Sequence, residues 1–421
     1  MTSCESDAYD AIVVGARCGG AATAMILARL GHRVALVEKT AGMGDTLSTH
    51  GLARGAVVQL DRWDLLDAVR DSGAPPVTRV SFATREDQVV RALRPSAGVN
   101  ALYAPRRPVL DQILLQAAVA AGAVLMMGTE VKRLVRQGGS TSGRVVGVAG
   151  RDHDGHPVEL RARLVVGADG LRGKMASLVR APIRGEWKSP SATFYSYAQG
   201  LSSDTYQFHV GDGCLAGVFP TNDGDGCVWL CLPSERAQPI LGAGSARGDA
   251  LRNELRRRTP LLAEQLAMGL NSAVKGAVGL PMIVRDVAGP GWALVGDAAY
   301  HRDPVTGHGI TDALRDAELL ATAAHEWLSL APLDERVERR AMGSYQRARD
   351  ASIADVFAIT DALTKFPHPD RFVALQRDLG AAIDREAEWL AARPAPWARK
   401  AVTATDVHLP RFPRTSNLVS A

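Results

Sequence analysis

The stretch DAIVVGARCGGAATAMILARLGHRVALVEK, residues 10–39, decides the fold of this chain. Asp10 to Val14 is a short β-rich apolar run that stops at Gly15-Ala16-Arg17-Cys18-Gly19-Gly20. Ala21 to Leu30 is rich in Ala, Leu and Met and ends at Gly31; Val34 to Val37 then resumes β character before Glu38. The pattern predicts strand, glycine loop, helix and strand. Glycines let the backbone approach a pyrophosphate, and the free amides at a helix start offer it positive partial charge. Gly15 and Gly20 take the first and third glycine positions of the dinucleotide fingerprint, while Arg17 replaces the second. Its bulk must turn away from the loop or lie along the pyrophosphate as a charge partner. Glu38 stands where a carboxylate accepts hydrogen bonds from a ribose diol. Gly15, Ala16, Arg17, Gly19, Gly20 and Glu38 are therefore candidate cofactor residues.

A glycine loop alone also fits a tight turn in an unrelated α/β fold, and two further motifs narrow the choice. Leu164-Val165-Val166-Gly167-Ala168-Asp169-Gly170 reads as a buried strand ending in an acidic turn, with Arg172 beyond it. Ala293-Leu294-Val295-Gly296-Asp297-Ala298-Ala299 repeats that logic, leading through Pro304, Gly307 and Gly309 to an amphipathic helix from about Thr311. Ligands meet parallel sheets at such strand ends.

The 421 residues exceed one ordinary core and predict two domains able to bury a large cofactor. A composition of 46% hydrophobic and 22% charged residues excludes disordered and fibrous classes. The net charge of +4 is spread without a basic run, which argues against nucleic-acid partners. No run is apolar enough to span a membrane, and the acidic, polar stretch Met1 to Asp10 is unlike a signal peptide, so a cytoplasmic location is expected. Cys4, Cys18, Cys214, Cys227 and Cys231 form an odd set with no CxxC pair, against a disulfide framework or a zinc site. His301 and His308 lack ligand partners at metal spacing, so no metal is expected.

Taken together, GARCGG with Glu38, GADG at Gly167 to Gly170, and GDAAYHRDPVTGHGITDAL at Gly296 to Leu314 resemble the group A flavoprotein monooxygenases, the para-hydroxybenzoate hydroxylase-like superfamily, over Tyr9 to Leu320. The resemblance implies noncovalent FAD. It places Asp297 on the ribityl chain, puts the loop with Pro304, Gly307, Gly309 and Ile310 against the isoalloxazine, and gives Asp169 and Gly170 contacts to both FAD and nicotinamide. Arg107-Pro108-Val109-Leu110-Asp111 is similar to the family's RxxLD element, which implies that Arg107 reaches the flavin phosphates. Val131 matches the adenine-holding position, and Lys39 and Ser48 join the cofactor set. Phe219-Pro220, before the Asn-Asp-Gly turn within Thr221 to Gly226, is similar to the family's FP motif at the edge of the substrate-domain sheet. Strands over Ala192 to Gln199, Thr205 to Val210 and Cys227 to Leu232 would supply that sheet.

The fold class implied is α/β (α+β): a Rossmann-type FAD domain over residues 1–75, 100–180 and 280–330, interleaved with a substrate sheet over 76–99 and 181–279. C-terminal helices over Ala321 to Leu328, Glu335 to Phe357 and Leu375 to Ala392, then an extended tail from Pro394, complete residues 331–421. No second glycine-rich unit exists, so NAD(P)H would bind transiently or a separate flavin reductase would supply electrons. The protein would be a monomer or homodimer.

The common AHxxxP pattern is here Tyr300-His301-Arg302-Asp303-Pro304, which makes Asp303 a candidate proton carrier or, alternatively, a loop cap. His50, after Ser48 and Thr49, falls in the region that in this superfamily curls over the flavin. It is expected to titrate near neutrality and to orient substrate or stabilise flavin charge, or else to be a satisfied loop residue. The implied reaction is hydroxylation or related oxygen insertion, through a flavin hydroperoxide, on a small aromatic or polyketide-like secondary metabolite. The departures also resemble geranylgeranyl reductase-like enzymes, which implies a reductase or desaturase as the alternative. Flavin-dependent halogenases share the fold, but their Trp-x-Trp-x-Ile-Pro motif is missing, since Trp229 starts only WLCLP.

Overall fold

A computed structural model describes residues 8–85, 87–139 and 142–397. Cys4 and most of the expected tail, from residue 398 on, lie outside them. The first strand, Tyr9–Val14, is buried from Ala11 onward because parallel neighbours flank it on both sides: Val34–Val37 and Pro157–Gly167. Val124–Met126 extends this sheet beyond Val34–Val37, and Trp292–Leu294 extends it beyond Pro157–Gly167. The helices Cys18–Arg29 and Arg107–Ala120 pack together, and Gly309–Leu328 covers the first of them. This is the α/β dinucleotide fold, and its parallel strands point their carboxyl ends toward Gly15, Glu38, Asp169 and Asp297.

The second layer is a seven-stranded sheet running from Lys275–Val278 through Ser191–Gln199, Asp225–Pro233, Cys214–Pro220, Thr205–Gly211 and Arg79–Ala83 to Gln88–Ala92. Side chains alternate across it. Ala192, Phe194 and Ala198 with Ala216, Val218, Val228, Leu230 and Leu232 form a core with the helices Gln238–Leu241, Arg247–Arg258 and Pro260–Glu264. The opposite register, Thr193, Tyr195 and Tyr197 with Cys227, Trp229 and Cys231, faces the dinucleotide domain. Four described cysteines are free and buried.

Three expectations need correction. The helix after the second acidic motif begins at Gly309 rather than Thr311 and runs unbroken to Leu328, because Ala321 to Leu328 continues its buried stripe. The next two helices are longer than expected, Glu335–Thr364 and Pro369–Ala391. Phe219-Pro220 closes a central strand, not an edge one, since Cys214–Pro220 is paired on both sides. Pro220 lacks an N–H and is tolerated only because it is the strand's last residue. Among the described residues, no helix is long and apolar enough to cross a membrane.

Candidate functional site

One cavity of about 820 Å³ lies between the two layers, with Gly15, Arg17, Gly19, Glu38, Lys39, Arg107, Val131, Asp169, Asp297, Pro304, Gly307, Gly309 and Ile310 on its wall. Ser48, His50 and Asp303 line it as well. Ala16 and Gly20 do not, and their contributions are indirect. Ala16 N–H is turned back to donate to Glu38 Oε2 at 3.0 Å, fixing the carboxylate to the loop. Glu38 Oε1 takes Thr40 N–H at 3.0 Å. Gly20 lets the helix close on the loop: a Cβ there would lie 1.7 Å from the Gly15 carbonyl oxygen. Gly15 itself adopts φ +101°, and a Cβ on it would lie 2.5 Å from the Ala168 oxygen.

Arg17 keeps its guanidinium on the wall. It donates to the Gly44 carbonyl at 3.2 Å and stands 3.7 Å from Asp111 Oδ2. Asp111, which sequence reasoning noted only as a motif letter, is the hub. Fully buried, it accepts Arg107 Nη2 at 2.9 Å and the Cys18 thiol at 3.0 Å. Burial pushes the Cys18 thiol up, so it stays protonated. Arg107 lies one helical turn away, but Cys18 is 93 positions off, and sequence spacing hid that contact. Asp169 caps the short helix Met175–Val179, accepting Lys174 N–H at 2.6 Å and Met175 N–H at 2.9 Å. Burial raises its carboxyl, as it does that of Asp297, where the charges of His301 and Arg107 oppose the rise.

At the sheet end, the loop before His50 is tied down by Tyr195, whose hydroxyl donates to the Thr46 carbonyl at 3.3 Å. His50 has φ +68°, a left-handed conformation unusual for a non-glycine residue. Its Nε2 meets the Tyr197 hydroxyl at 2.5 Å while the two rings stack. The expectation that His50 titrates near neutrality is corrected: burial pushes it down to about 3, so its imidazole is neutral at physiological pH and carries no charge for a flavin. Asp303 accepts Ser189 Oγ at 2.6 Å, Ser191 Oγ, and Val305 N–H at 2.9 Å, the geometry of a cap on the turn Pro304–Thr306.

His308 is less isolated than its sequence spacing suggests. Its Nε2 meets Glu386 Oε2 at 2.6 Å, and His308, Asp312 and Glu386 bring possible ligand atoms together. Arg315 already pairs with both carboxylates at 2.7 Å, which makes the group an ion-pair network binding the last helix to the 304–310 loop. Arg302 joins it through Asp312 at 2.7 Å.

The FAD-binding domain family matches residues 8–239, more than half of the chain. This chain belongs to that family. The flavoprotein is also 27% identical to the digeranylgeranylglycerophospholipid reductase of Methanothrix thermoacetophila over 73% of this chain and 75% of that protein. Its fold is shared with PqsL, a probable FAD-dependent monooxygenase from Pseudomonas aeruginosa, at a TM-score of 0.74 and 22% identity, covering 88% of this chain and all of the other. A triple mutant of a flavin-dependent brominase superposes with a TM-score of 0.75 at 15% identity, over 92% and 96% of the two chains. The family is that of FAD-dependent oxidoreductases, and both branches named from the motifs are represented among these relatives.

The residues present fit FAD. The Gly15 and Gly20 backbones form a cradle that any Cβ would fill, and Arg17 Nη1 and Asp169 Oδ1 are buried without a hydrogen-bond partner among the described residues.

Proposed function

We propose that the flavoprotein is an FAD-dependent monooxygenase acting on a small aromatic or polyketide-like metabolite. Gly15, Arg17, Gly19 and Arg107 would hold the pyrophosphate, Glu38 and Lys39 the ribose, Val131 the adenine and Asp297 the ribityl chain, with Ser48, Pro304, Gly307, Gly309 and Ile310 along the ring. Bound there, FAD supplies the redox chemistry. NAD(P)H, or a separate flavin reductase, would provide electrons.

The observation that carries the oxygen-inserting reading is the cavity between the two layers, whose sheet wall ties its polar side chains to one another. There His50 pairs with the Tyr197 hydroxyl, Tyr195 donates to the Thr46 carbonyl and Asp303 accepts three hydrogen bonds. Such walls orient a substrate and exclude water, which is what oxygen insertion asks of the protein. His50 and Asp303 then act by holding the 46–50 and 303–310 loops against the sheet.

The alternative, reduction of an isoprenoid-type double bond, is favoured by the 27% identity to the archaeal reductase. Turnover under labelled dioxygen separates the two. One labelled oxygen atom in the product supports the proposal; an unlabelled product heavier by two hydrogens, formed without dioxygen, overturns it. Stopped-flow flavin reduction by NADH and NADPH identifies the donor.

A further inference from the structure

The seven-stranded sheet finishes its two edges differently. Gln88–Ala92 is exposed throughout and carries Gln88 and Arg91, polar groups that discourage further strand pairing. Among the described residues Lys275–Val278 pairs only with Ser191–Gln199, and Gly276, Ala277 and Val278 line the cavity.

Register decides which main-chain groups that edge leaves over. Gly279 N–H donates to the Ser191 carbonyl at 2.9 Å on one side of the Ser191–Gln199 strand. On the other side Ser234 N–H donates to the Pro190 carbonyl at 2.7 Å. Odd-numbered residues of this strand therefore turn their polar groups to the edge strand and even-numbered ones turn away. Thr193 with Ala277 and Tyr195 with Lys275 are the hydrogen-bonded pairs; Ala192 with Val278 and Phe194 with Gly276 are the others. The N–H and C=O of Gly276 and Val278, two residues of the cavity lining, consequently point away from the Ser191–Gln199 strand, and no hydrogen bond to another described residue uses them.

We propose that this edge is a substrate subsite for a secondary amide. The inference rests on the reading that substrate enters this cavity beside the flavin, and it adds the group by which the substrate is held. Each free residue offers one donor and one acceptor side by side, which a secondary amide matches in full and an ester only by half. The charge of Lys275 is neutralised by its ion pair with Asp45, so the edge favours a neutral ligand over a carboxylate. Leu47, 45% exposed, and Ala277, on the same face as Thr193, supply apolar flanks.

The test uses FAD-loaded full-length protein, acetanilide as the amide probe and phenyl acetate as its ester counterpart, read by the visible difference spectrum of the flavin. Acetanilide should bind about fivefold more tightly than the ester, the worth of one hydrogen bond. Val278→Pro removes the outward N–H without touching the ladder to Ser191–Gln199, and should erase the preference; Val278→Ala, which keeps the N–H, should retain it. Flavin content and melting temperature report whether the proline variant folds, and if it does not, the wild-type preference decides. Equal binding of the two probes, no binding of either, or a preference that survives Val278→Pro overturns the inference. The probes report binding rather than oxygen transfer, so this result and the labelled-dioxygen result fail independently.

Discussion

At the end proposed for the phosphates the cavity wall comes from residues between Gly15 and Lys39, joined by Arg107, Val131 and Asp169; at its sheet end the walls come from residues that meet only through folding. Ala16 reaches Glu38 across 22 positions inside a single strand-helix-strand unit. His50 and Tyr197 are 147 positions apart, and Asp303 is 112 from Ser191. The first end offers backbone shape and buried charge, and the second offers hydrogen bonds between side chains of distant segments.

The largest effect should come from breaking the phosphate end at its hub. Asp111→Ala strands the buried Arg107 guanidinium and should lower unfolding stability by about 3–5 kcal/mol, with loss of FAD, measured by denaturant melts and flavin absorbance. Gly20→Ala is next. Overpacking against the Gly15 carbonyl should destabilise by about 3 kcal/mol and release FAD, whereas Gly380→Ala, inside the helix Pro369–Ala391 where a Cβ meets nothing within 4 Å, should retain the cofactor. Retention of FAD by Gly20→Ala would show that the loop is not closed on the helix.

At the sheet end, Asp303→Asn leaves the loop cap with fewer acceptors and should cost about 1–3 kcal/mol in a thermal melt while the FAD stoichiometry holds. A hundredfold fall in turnover at unchanged stability would instead make Asp303 a proton carrier. His50 offers a smaller, pH-dependent contrast. Its folded value of about 3 lies below its ordinary 6.5, so the unfolded chain takes up a proton first as pH falls. Its contribution is therefore intact above pH 6.5 and declines between 6.5 and 3. His50→Gln should flatten the melting temperature profile in that window relative to wild type. The smallest effect belongs to Arg17→Gly. Its side chain is 32% exposed and its pairing with Asp111 is loose, so FAD affinity should fall by about tenfold at most in a flavin titration.

The dinucleotide unit was legible because its signals are local. A Gly that must accept another residue's carbonyl, a carboxylate at a strand end and an apolar run between glycines each state their own requirement. Asp297, Gly307 and Gly309, expected from the family resemblance, stand on the cavity wall. Asp111 was half legible: its motif was visible, but its partners Cys18 and Arg17 are joined to it only by the packing of two helices. The charge state of His50 was not legible at all, because an imidazole's titration depends on how much water surrounds it.

By itself the sequence determined the strand-loop-helix-strand unit, the α/β class and the glycine loop between strand and helix, since these depend on near-neighbour sterics and on periods of two and 3.6 residues. Tertiary structure alone decided that Phe219-Pro220 closes a central strand, that Glu386 in the helix Pro369–Ala391 grips His308, and that the main-chain groups of Gly276 and Val278 turn away from the Ser191–Gln199 strand. Those facts depend on strand register, helix docking and burial, which are set by long-range packing and leave no mark in the local pattern.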